Sequence, residues 1–475
     1  MMEVLQSQEK EVKQKKKFSM PNTLVIMAVV IALVAVATYL IPGGAYDRVL
    51  NDQGREVVVS GTYKAIASQP QSLFDVLQSP IEGIVQGGEI IAFLFIVGGA
   101  FSIVSRTKAI DLGILKIVNV FKGKEILVLP ILMFMFSIGG ATFGMSEEAI
   151  AFVAVLMPLV LALGYDSIVA VAITYLACNL GFSAAMLNPF TVGIAQSIAG
   201  IQLYSGVEFR TLVWFVSTLV GCGFVMFYAM KIKKNPELSP MFEHDQVKRE
   251  KLKSTESEHT EFTLRHKIII AALFTSIALV VYGVLKLEFW IPQIAAVFLG
   301  LGIISGLVGK LAPNEIAEAF TDGAKDMIGA AIMIGLAKSV MIIAQNAIII
   351  DTILFNLANV VGQLPSLIAS YIMFVIQMFI NFFVSSGSGQ AALTMPILAP
   401  LGDLVGISRQ LSVLIYQLGD GFSNAMFPTS GVLIACLGMA GVPYGKWLKW
   451  ILPLQAILFM TAIVFITIAS LIGWA

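Results

Sequence analysis

Apolar runs of about twenty residues recur along this chain, and they constrain its fold more than any other feature. The run at 23–41 (TLVIMAVVIALVAVATYLI) contains no charged residue. An α-helix needs about 20 apolar residues to cross the hydrocarbon core of a bilayer. Of the 475 residues 57% are hydrophobic and 13% charged, and soluble domains carry roughly 25% charged residues. The sequence therefore predicts an all-α polytopic membrane protein.

Charge and residue usage exclude several classes of function. The net charge is zero, so no nucleic-acid partner is predicted. All three histidines fall in one polar segment, which excludes a histidine-based metal or catalytic centre inside the membrane. No P-loop and no GxGxxG after a predicted strand is present, so ATP-driven pumping is not predicted.

A polar segment at 231–266 divides the chain into two transmembrane halves, 22–230 and 267–475. The segment is rich in Lys and Arg, and the positive-inside rule predicts that it is a cytoplasmic linker. Its composition is that of a solvated connection. The lysine cluster KQKKK in the N-terminal tail 1–21 places the N-terminus in the cytoplasm by the same rule.

The two halves contain matching strings at a nearly constant offset. Gly83 in SPIEGIVQGG aligns with Gly323 in FTDGAKDMIG, 240 residues later, and Asp111 aligns with Asp351 at the same offset. NLGFSAAMLNP likewise matches GDGFSNAMFP. Repeat 1 therefore begins at about 74 and repeat 2 at about 314. Counting predicted crossings places the two starts on opposite faces, which is the inverted-topology plan of many secondary transporters.

Polar, glycine-rich stretches occur where each repeat should lie at membrane depth. We predict a re-entrant hairpin at 126–163 with its tip at GGATFGMSEE, and a second at 367–404 with its tip at SSGSGQ. Non-helical backbone is tolerated at that depth only where it is buried in protein or lines a wet cavity. Broken helices are predicted at 167–200 and 408–441, because Pro189 and Pro428 each remove a helical hydrogen bond.

The polar side chains of these four elements form the candidate substrate site. Acids inside a membrane are costly and mark function by default, and three of them (Glu147, Glu148 and Asp420) lie in these elements. A Na⁺ site is a candidate near Glu147, Asn188, Ser386 and Asp420. Lys338 is either a counter-ion or gating partner, or a structural residue. The predicted site residues are Ser146, Glu147, Glu148, Asn179, Ser183, Asn188, Ser385, Ser386, Ser388, Gln390, Asp420, Ser423, Asn424 and Thr429.

The strings GMSEEAIAF, NLGFSAAMLNPFTVGIAQ, SSGSGQAALTMPI and GDGFSNAMFPTSG resemble the YfcC branch of the DcuC-type (C4-dicarboxylate anaerobic carrier) family, in the ion transporter superfamily. The resemblance covers nearly the whole chain and implies a homodimer in the bacterial cytoplasmic membrane. It also implies a scaffold domain and a mobile transport domain that work by elevator-type alternating access. Related dicarboxylate carriers have Ser-Asn-Thr motifs at the hairpin tips. Here the tips read Ser146-Glu147-Glu148 and Ser386-Gly387-Ser388, so those ligands do not carry over.

These observations predict a secondary transporter or exchanger of a small polar metabolite, coupled to Na⁺ or H⁺ and without another cofactor. Three acids against one lysine favour a substrate with an amine, such as arginine or ornithine. If the acids bind Na⁺ instead, a sodium-coupled C4-dicarboxylate carrier is the alternative. A channel is a further alternative. An intramembrane hydrolase would need Ser388 as nucleophile and Lys338 as its base.

Overall fold

The computed structural model describes residues 23–50, 56–110, 112, 125–257, 262–287 and 289–474, and this part of the chain is mostly helical. It confirms a multi-pass helical membrane protein. Six helices in the described residues are long and apolar enough to cross a membrane: Gly88–Arg106, Val207–Lys234, Ile291–Val308, Ile328–Asn346, Ser366–Phe383 and Tyr444–Leu471. Asp111 lies outside the described residues, so its pairing with Asp351 stays a prediction.

The first half contains a lone helix, a short stranded segment, and then a series of helices. In chain order these are α1 Thr23–Leu40, β1 Gly44–Ala45, β2 Arg48–Leu50, β3 Glu56–Val58, β4 Lys64–Ala65, α2 Leu73–Gln86, α3 Gly88–Arg106, α4 Glu125–Phe143, α5 Ala149–Ala162, α6 Ser167–Ser183, α7 Ile194–Ala199 and α8 Val207–Lys234. One π-helical stretch, Ala172–Leu176, lies within α6. A second one, Pro189–Gly193, lies after α6 and leads into α7.

The second half follows a short 3₁₀ turn, Pro236–Leu238. Its helices are α9 Phe242–Ser257, α10 Leu264–Lys286, α11 Ile291–Val308, α12 Pro313–Asp326, α13 Ile328–Asn346, α14 Ile350–Val361, α15 Ser366–Phe383, α16 Gly387–Leu404, α17 Arg409–Asn424, α18 Gly431–Ala440 and α19 Tyr444–Leu471.

Corresponding helices of the two halves have the same order and nearly the same lengths. Helices α2 and α12 both have 14 residues, α3 and α13 both have 19, and α8 and α19 both have 28. Helices α4 and α15 have 19 and 18. These four pairs of helices thus occur in the same order in the two halves.

The halves also exchange contacts, because α2 packs on α13 and α12 packs on α3. Gly83 and Gly323, which the sequence aligns, lie at these two crossings. A Cβ on Gly83 would stand 2.1 Å from the carbonyl oxygen of Gly335, and one on Gly323 would stand 2.3 Å from that of Gly98. Both positions need glycine because the backbones touch.

The all-α prediction is incomplete, since residues 44–65 form two antiparallel strand pairs, β1 with β4 and β2 with β3. This segment is fixed to α14. Arg48 donates to both carboxylate oxygens of Asp351 at 3.0 and 2.9 Å, and the Tyr46 amide donates to Asp351 Oδ2 at 3.0 Å. The Asp351 side chain is 4% exposed and is therefore a buried anchor for this segment.

Most described residues of the segment 231–266 are exposed, and several of its side chains attach it to the folded core. Helix α8 continues to Lys234, and α9 packs on α5. The Asp245 carboxylate accepts from the amide and hydroxyl of Ser167 and from Lys248, whose ammonium also donates to the Ala440 carbonyl. Buried side chains of this segment, among them Met241 and Asp245, fix it to the folded core.

A second carboxylate belongs to the same cluster. Asp166 accepts from Tyr228, from Ser239 and from the Val169 amide. We call Asp166, Ser167, Tyr228, Ser239, Asp245 and Lys248 the linker latch. It connects the α5–α6 loop, the end of α8, the linker and the end of α18.

The polar helices lie at the centre of the molecule. Every residue from Ser167 to Gly181 in α6 and from Gln410 to Ser423 in α17 is buried. Their amides, hydroxyls and carboxylate are consequently kept away from lipid, as membrane burial of polar groups requires.

Candidate functional site

Helices α6 and α17 each stop inside the core and are followed by a second, separate helix. After Ser183 the chain is not helical until Pro189, and the Asn188 side chain caps the new start by accepting from the Phe190 amide at 2.9 Å. After Asn424 the helix resumes at Gly431, where the Ser430 hydroxyl accepts from the Leu433 amide at 3.4 Å. Each interruption leaves carbonyls on one side and amides on the other without a partner in the helix itself.

Two short turns face these interruptions. Helices α4 and α5 are joined by residues 144–148, where Gly144 takes a positive φ of 77° that favours glycine. Helices α15 and α16 are joined by 384–386 alone, and the Ser386 hydroxyl accepts from the Gly389 amide. The GSG sequence, which we expected in the turn, therefore forms the first turn of helix α16.

The two turns and the two interruptions surround one cavity of about 220 Å³. Both halves of the chain contribute to its wall. Seven of the predicted site residues line it: Ser146, Glu147, Asn179, Ser385, Ser386, Ser388 and Asn424. Such a concave wall with many hydroxyl and amide groups is suited to a small polar ligand.

Several lining residues were not predicted from sequence. Phe190 and Trp290, whose ring centroids are 5.6 Å apart, form an aromatic part of the wall. Tyr175 also lines the cavity and donates its hydroxyl to the Asn424 carbonyl at 3.0 Å. Thr191 and Ser430 follow the interruptions directly and were within reach of the motif argument. Trp290 precedes α11, and nothing in its local sequence indicates the cavity.

The cavity contains one acid and one base. The Glu147 carboxylate accepts no hydrogen bond from any described residue, and no described acid forms an ion pair with Lys338. Glu148 is buried outside the cavity wall and accepts from the Ser146 amide at 3.1 Å. The two neighbouring glutamates therefore differ: one supports the turn and the other is available to a ligand.

Asp420 lies behind the turn that leads into α16. It is fully buried, and neither of its carboxylate oxygens has a hydrogen-bond partner among the described residues. Its Oδ2 is 3.1 Å from where a Cβ on Gly387 would stand, and the Thr191 methyl carbon is 2.7 Å from the same point. A buried carboxylate without partners is costly unless it is protonated or binds a cation.

The other predicted residues do not line the cavity. Ser183 and Ser423 donate back to the carbonyls of their own helices, at Asn179 and Gly419. Gln390 donates to the Gln377 side chain at 2.7 Å. Asn188 and Thr429 are buried close to the two interruptions, and the Asn188 amide nitrogen and the Thr429 hydroxyl have no described partner.

One network residue was missed by the sequence argument. Asn381, near the end of α15, donates its amide to the Asp420 carbonyl, to Ser423 Oγ and to Asn424 Oδ1, at 2.8–2.9 Å. It therefore fixes the end of α17 against the second turn. The Gln417 amide, in turn, donates to the Phe182 carbonyl at 2.5 Å and connects α17 with α6.

A second cavity, of about 480 Å³, lies on the other side of the α15–α16 turn. Val384 and Gly389 line it, whereas Ser385 to Ser388 line the first cavity. Arg48, Gln345 and Asp351 form its polar wall. A wall of only a few residues therefore separates the two spaces.

The first cavity contains the serine and the lysine that an intramembrane hydrolase would need, but they are not joined. Ser388 and Lys338 both line it, but no hydrogen bond joins them among the described residues, so a nucleophile activated by a base is not formed there. Within the described ranges no three His, Cys, Asp or Glu side chains form a metal-binding group.

This chain is similar to a family of carriers and to two individual proteins, one of which is named as an antiporter. A family model described as "C4-dicarboxylate anaerobic carrier" matches residues 20–471. The "Putative basic amino acid antiporter YfcC" of Escherichia coli K12 is 39% identical over 502 residues, covering 98% of this chain and 99% of the relative. An uncharacterized protein of Haemophilus influenzae is 30% identical over 491 residues, covering 94% of this chain and 96% of the relative.

Two solved transporter structures are similar at a lower level. The YdaH transporter of Alcanivorax borkumensis has a TM-score of 0.42 with 14% identity, covering 96% of this chain and 99% of that one. MtrF of Neisseria gonorrhoeae has a TM-score of 0.40 with 18% identity, covering 94% of this chain and 95% of that one. Scores below 0.5 assign neither a fold nor a function.

The match of the family model across nearly the whole chain and the 39% identity to YfcC agree with the motifs at both turns and both interruptions. The chain is a membrane transporter of the C4-dicarboxylate anaerobic carrier (DcuC) family, in its YfcC branch.

Proposed function

We propose that this protein is a secondary exchanger of amino acids, with a preference for basic ones such as arginine and ornithine. The observation that carries the proposal is the carboxylate of Glu147, which lines a hydroxyl-rich cavity and has no hydrogen-bond or ion-pair partner among the described residues. A ligand ammonium or guanidinium would supply that partner, since a buried charge is tolerated when it is paired and hydrogen-bonded. The name of the E. coli relative is consistent with this substrate class.

Coupling to a cation would use Asp420. Its two unpaired oxygens lie next to the first turn of α16, close to Thr191. A proton would neutralise the carboxylate, and Na⁺ would be bound by it together with hydroxyl and carbonyl oxygens. The region between Glu147, Asn188, Ser386 and Asp420 is the proposed place for Na⁺.

Alternating access would arise from inverted repeats with re-entrant hairpins, α4–α5 and α15–α16. Contacts between the halves support opposite orientations. The start of α17 contacts the end of α7, because Arg409 donates to the Ala199 carbonyl at 2.5 Å. The Lys248 contact with Ala440 joins the α5–α6 loop to the end of α18. An elevator-type movement of α4–α7 and α15–α18, in a homodimer within the cytoplasmic membrane, is part of the proposal, with the N-terminus and linker cytoplasmic.

The second candidate function is a sodium-coupled C4-dicarboxylate carrier. Lys338 and the starts of helices α16 and α18 favour anions, because helix N-termini present free amides and positive partial charge. The family description names this substrate class. In this case Glu147 would bind a cation that enters together with the dicarboxylate.

Reconstituted carrier in liposomes distinguishes the two candidates. The liposomes are loaded with unlabelled substrate, and entry of labelled arginine or labelled succinate is followed with and without an inward Na⁺ gradient. We expect arginine to enter by counterflow and succinate to be excluded. Counterflow also separates a carrier from a channel, which would not accumulate label against its gradient.

Glu147→Gln and Glu318→Gln are the matched variants. Glu147 lines the cavity, whereas Glu318 is an exposed residue of α12. We expect the Glu147 variant to lose arginine exchange by about 100-fold, the size expected when a desolvated charge pair is lost, and the Glu318 variant to match wild type. Unchanged exchange by Glu147→Gln, or succinate entry in place of arginine, would reject the amino-acid assignment.

A further inference from the structure

Lys338 and Glu147 reach the cavity from different parts of the molecule. Lys338 is on helix α13, which packs on α2, and Glu147 is in the turn between α4 and α5. Both line the same space together with Ile90. No ion pair within 4.0 Å joins Lys338 to an acid of the described chain, so its ammonium and the Glu147 carboxylate leave room between them.

The stem of Lys338 passes the Gly87 backbone, and the residue also lines the cavity. Its Cγ is 3.6 Å from where a Cβ on Gly87 would stand, and Ile334, one turn earlier on α13, is 3.0 Å from the same point. Lysine stems commonly lie along apolar surface while the charged end reaches a polar environment.

We propose that Lys338 determines specificity by binding the carboxylate of the substrate while Glu147 binds its ammonium. The inference rests on the proposed function, because it assumes an amino acid as substrate. An amino acid carries both charges on one carbon and would satisfy both unpaired side chains. A plain amine would leave Lys338 unpaired, and a dicarboxylate would leave Glu147 unpaired.

This arrangement predicts a strong rejection of substrates that lack one charge. A site that contains a buried polar or charged group discriminates by large factors against an analogue that leaves the group unpaired. Lys338 would therefore exclude polyamines, which Glu147 would otherwise attract. This selectivity needs both charges. Glu147 alone would also accept polyamines, and Lys338 alone would also accept dicarboxylates.

The alternative anchor for the carboxylate is the start of α16. Its first amides lie beside Ser386 and Ser388, which also line the cavity. If those amides bind the carboxylate, Lys338 has a structural role or balances Glu147. Removal of the lysine then changes recognition of arginine and of its decarboxylated form in the same proportion.

The test compares arginine with agmatine, which is arginine without the carboxylate, in proteoliposome counterflow. Wild type, Lys338→Gln and Lys338→Arg are measured for the initial rate ratio of the two substrates. We expect wild type to prefer arginine by at least tenfold. We expect Lys338→Gln to bring the ratio close to one, mainly through loss of arginine transport, and Lys338→Arg to keep a clear preference.

The rate ratio also distinguishes a change in specificity from a loss of folded protein, since a partly unfolded carrier transports less of both substrates in the same proportion. Size-exclusion profiles and melting temperatures in detergent check that each variant is folded. A folded Lys338→Gln variant that keeps the wild-type ratio would overturn the proposal. Transport of succinate and of neither arginine nor agmatine by wild type would overturn the proposed function itself, and the inference with it.

Discussion

The candidate site and the linker latch both contain carboxylates inside the protein. Only the latch supplies hydrogen-bond donors to all of its carboxylates. In the latch, Asp166 and Asp245 have hydrogen-bond donors at every carboxylate oxygen, from Ser167, Tyr228, Ser239, Lys248 and backbone amides. In the site, Asp420 has none among the described residues and Glu147 faces an open space. Burial alone therefore does not separate the acids of the two regions; the presence or lack of internal hydrogen-bond partners does.

The difference has an energetic meaning. Hydrogen bonds to a charged group contribute about 1.5–3 kcal/mol each, and leaving such a group unpaired costs at least as much. The latch therefore stabilises the fold, because its carboxylates are hydrogen-bonded. The unpaired carboxylates of the site lower the stability, and a bound ligand or cation would raise it again. Substitutions of acid by amide in the two regions should have opposite consequences for stability and transport.

The largest effect is expected for Asp420→Asn. The amide keeps the shape but removes the charge, so we expect at least a 100-fold loss of ion-coupled arginine exchange with an unchanged or higher melting temperature. A loss of about 2.7 kcal/mol in binding corresponds to that factor. Initial counterflow rates and thermal unfolding in detergent measure both quantities. Asp322→Asn, at an exposed ion pair with Arg106, is the matched control.

An Asp420→Asn variant that transports normally and melts higher would break the comparison. It would mean that this acid is protonated throughout the cycle and contributes nothing to coupling.

A smaller effect on transport and a larger one on stability are expected for Asp245→Asn. Removing one member of a buried ion pair leaves the Lys248 ammonium without its partner and costs about 3–5 kcal/mol. We expect a lower melting temperature, with exchange per folded carrier close to wild type. The double variant Asp245→Asn/Lys248→Met should recover part of the stability, because it removes the unpaired charge as well.

If Asp245→Asn instead abolished exchange at full stability, the latch would be part of the transport cycle, and its acids could not be separated from those of the site by their partners.

The smallest effect extends the comparison to the outer stranded segment and depends on pH. Burial, followed by the nearby Asp351 carboxylate, raises the pKa of Tyr46 from 10.0 to about 12. Between these values the unfolded chain loses the phenol proton more readily than the folded one, so stability falls as pH rises through this window. We expect Tyr46→Phe to melt like wild type at pH 7 and to lose less stability between pH 9 and 11.

Equal pH dependence of the two proteins would show that the Tyr46 phenol is exposed in solution. The strand pair around it would then not be fixed to Asp351 as it is in the structure.

The linker shows what composition leaves out in one region. Residues 231–266 are as charged as a soluble linker, yet Asp245 and Met241 are buried in it. Its charged residues pair with the loop between α5 and α6 and with the end of α18, which are distant in sequence. A pattern of local charge contains no information on such partners.

Local sequence determined the spans, the two interruptions and the two polar turns, because length, apolar character, proline and glycine act within a few residues. Similarity at an offset of 240 residues determined the matching plan of the halves. Which polar residues face the cavity was decided only by tertiary structure. Glu147 and Glu148 are adjacent, yet only Glu147 lines it, and Trp290 and Lys338 reach it from distant helices. The physical reason is that a side chain's role depends on whether its neighbours in space satisfy it, and those neighbours come from the whole chain.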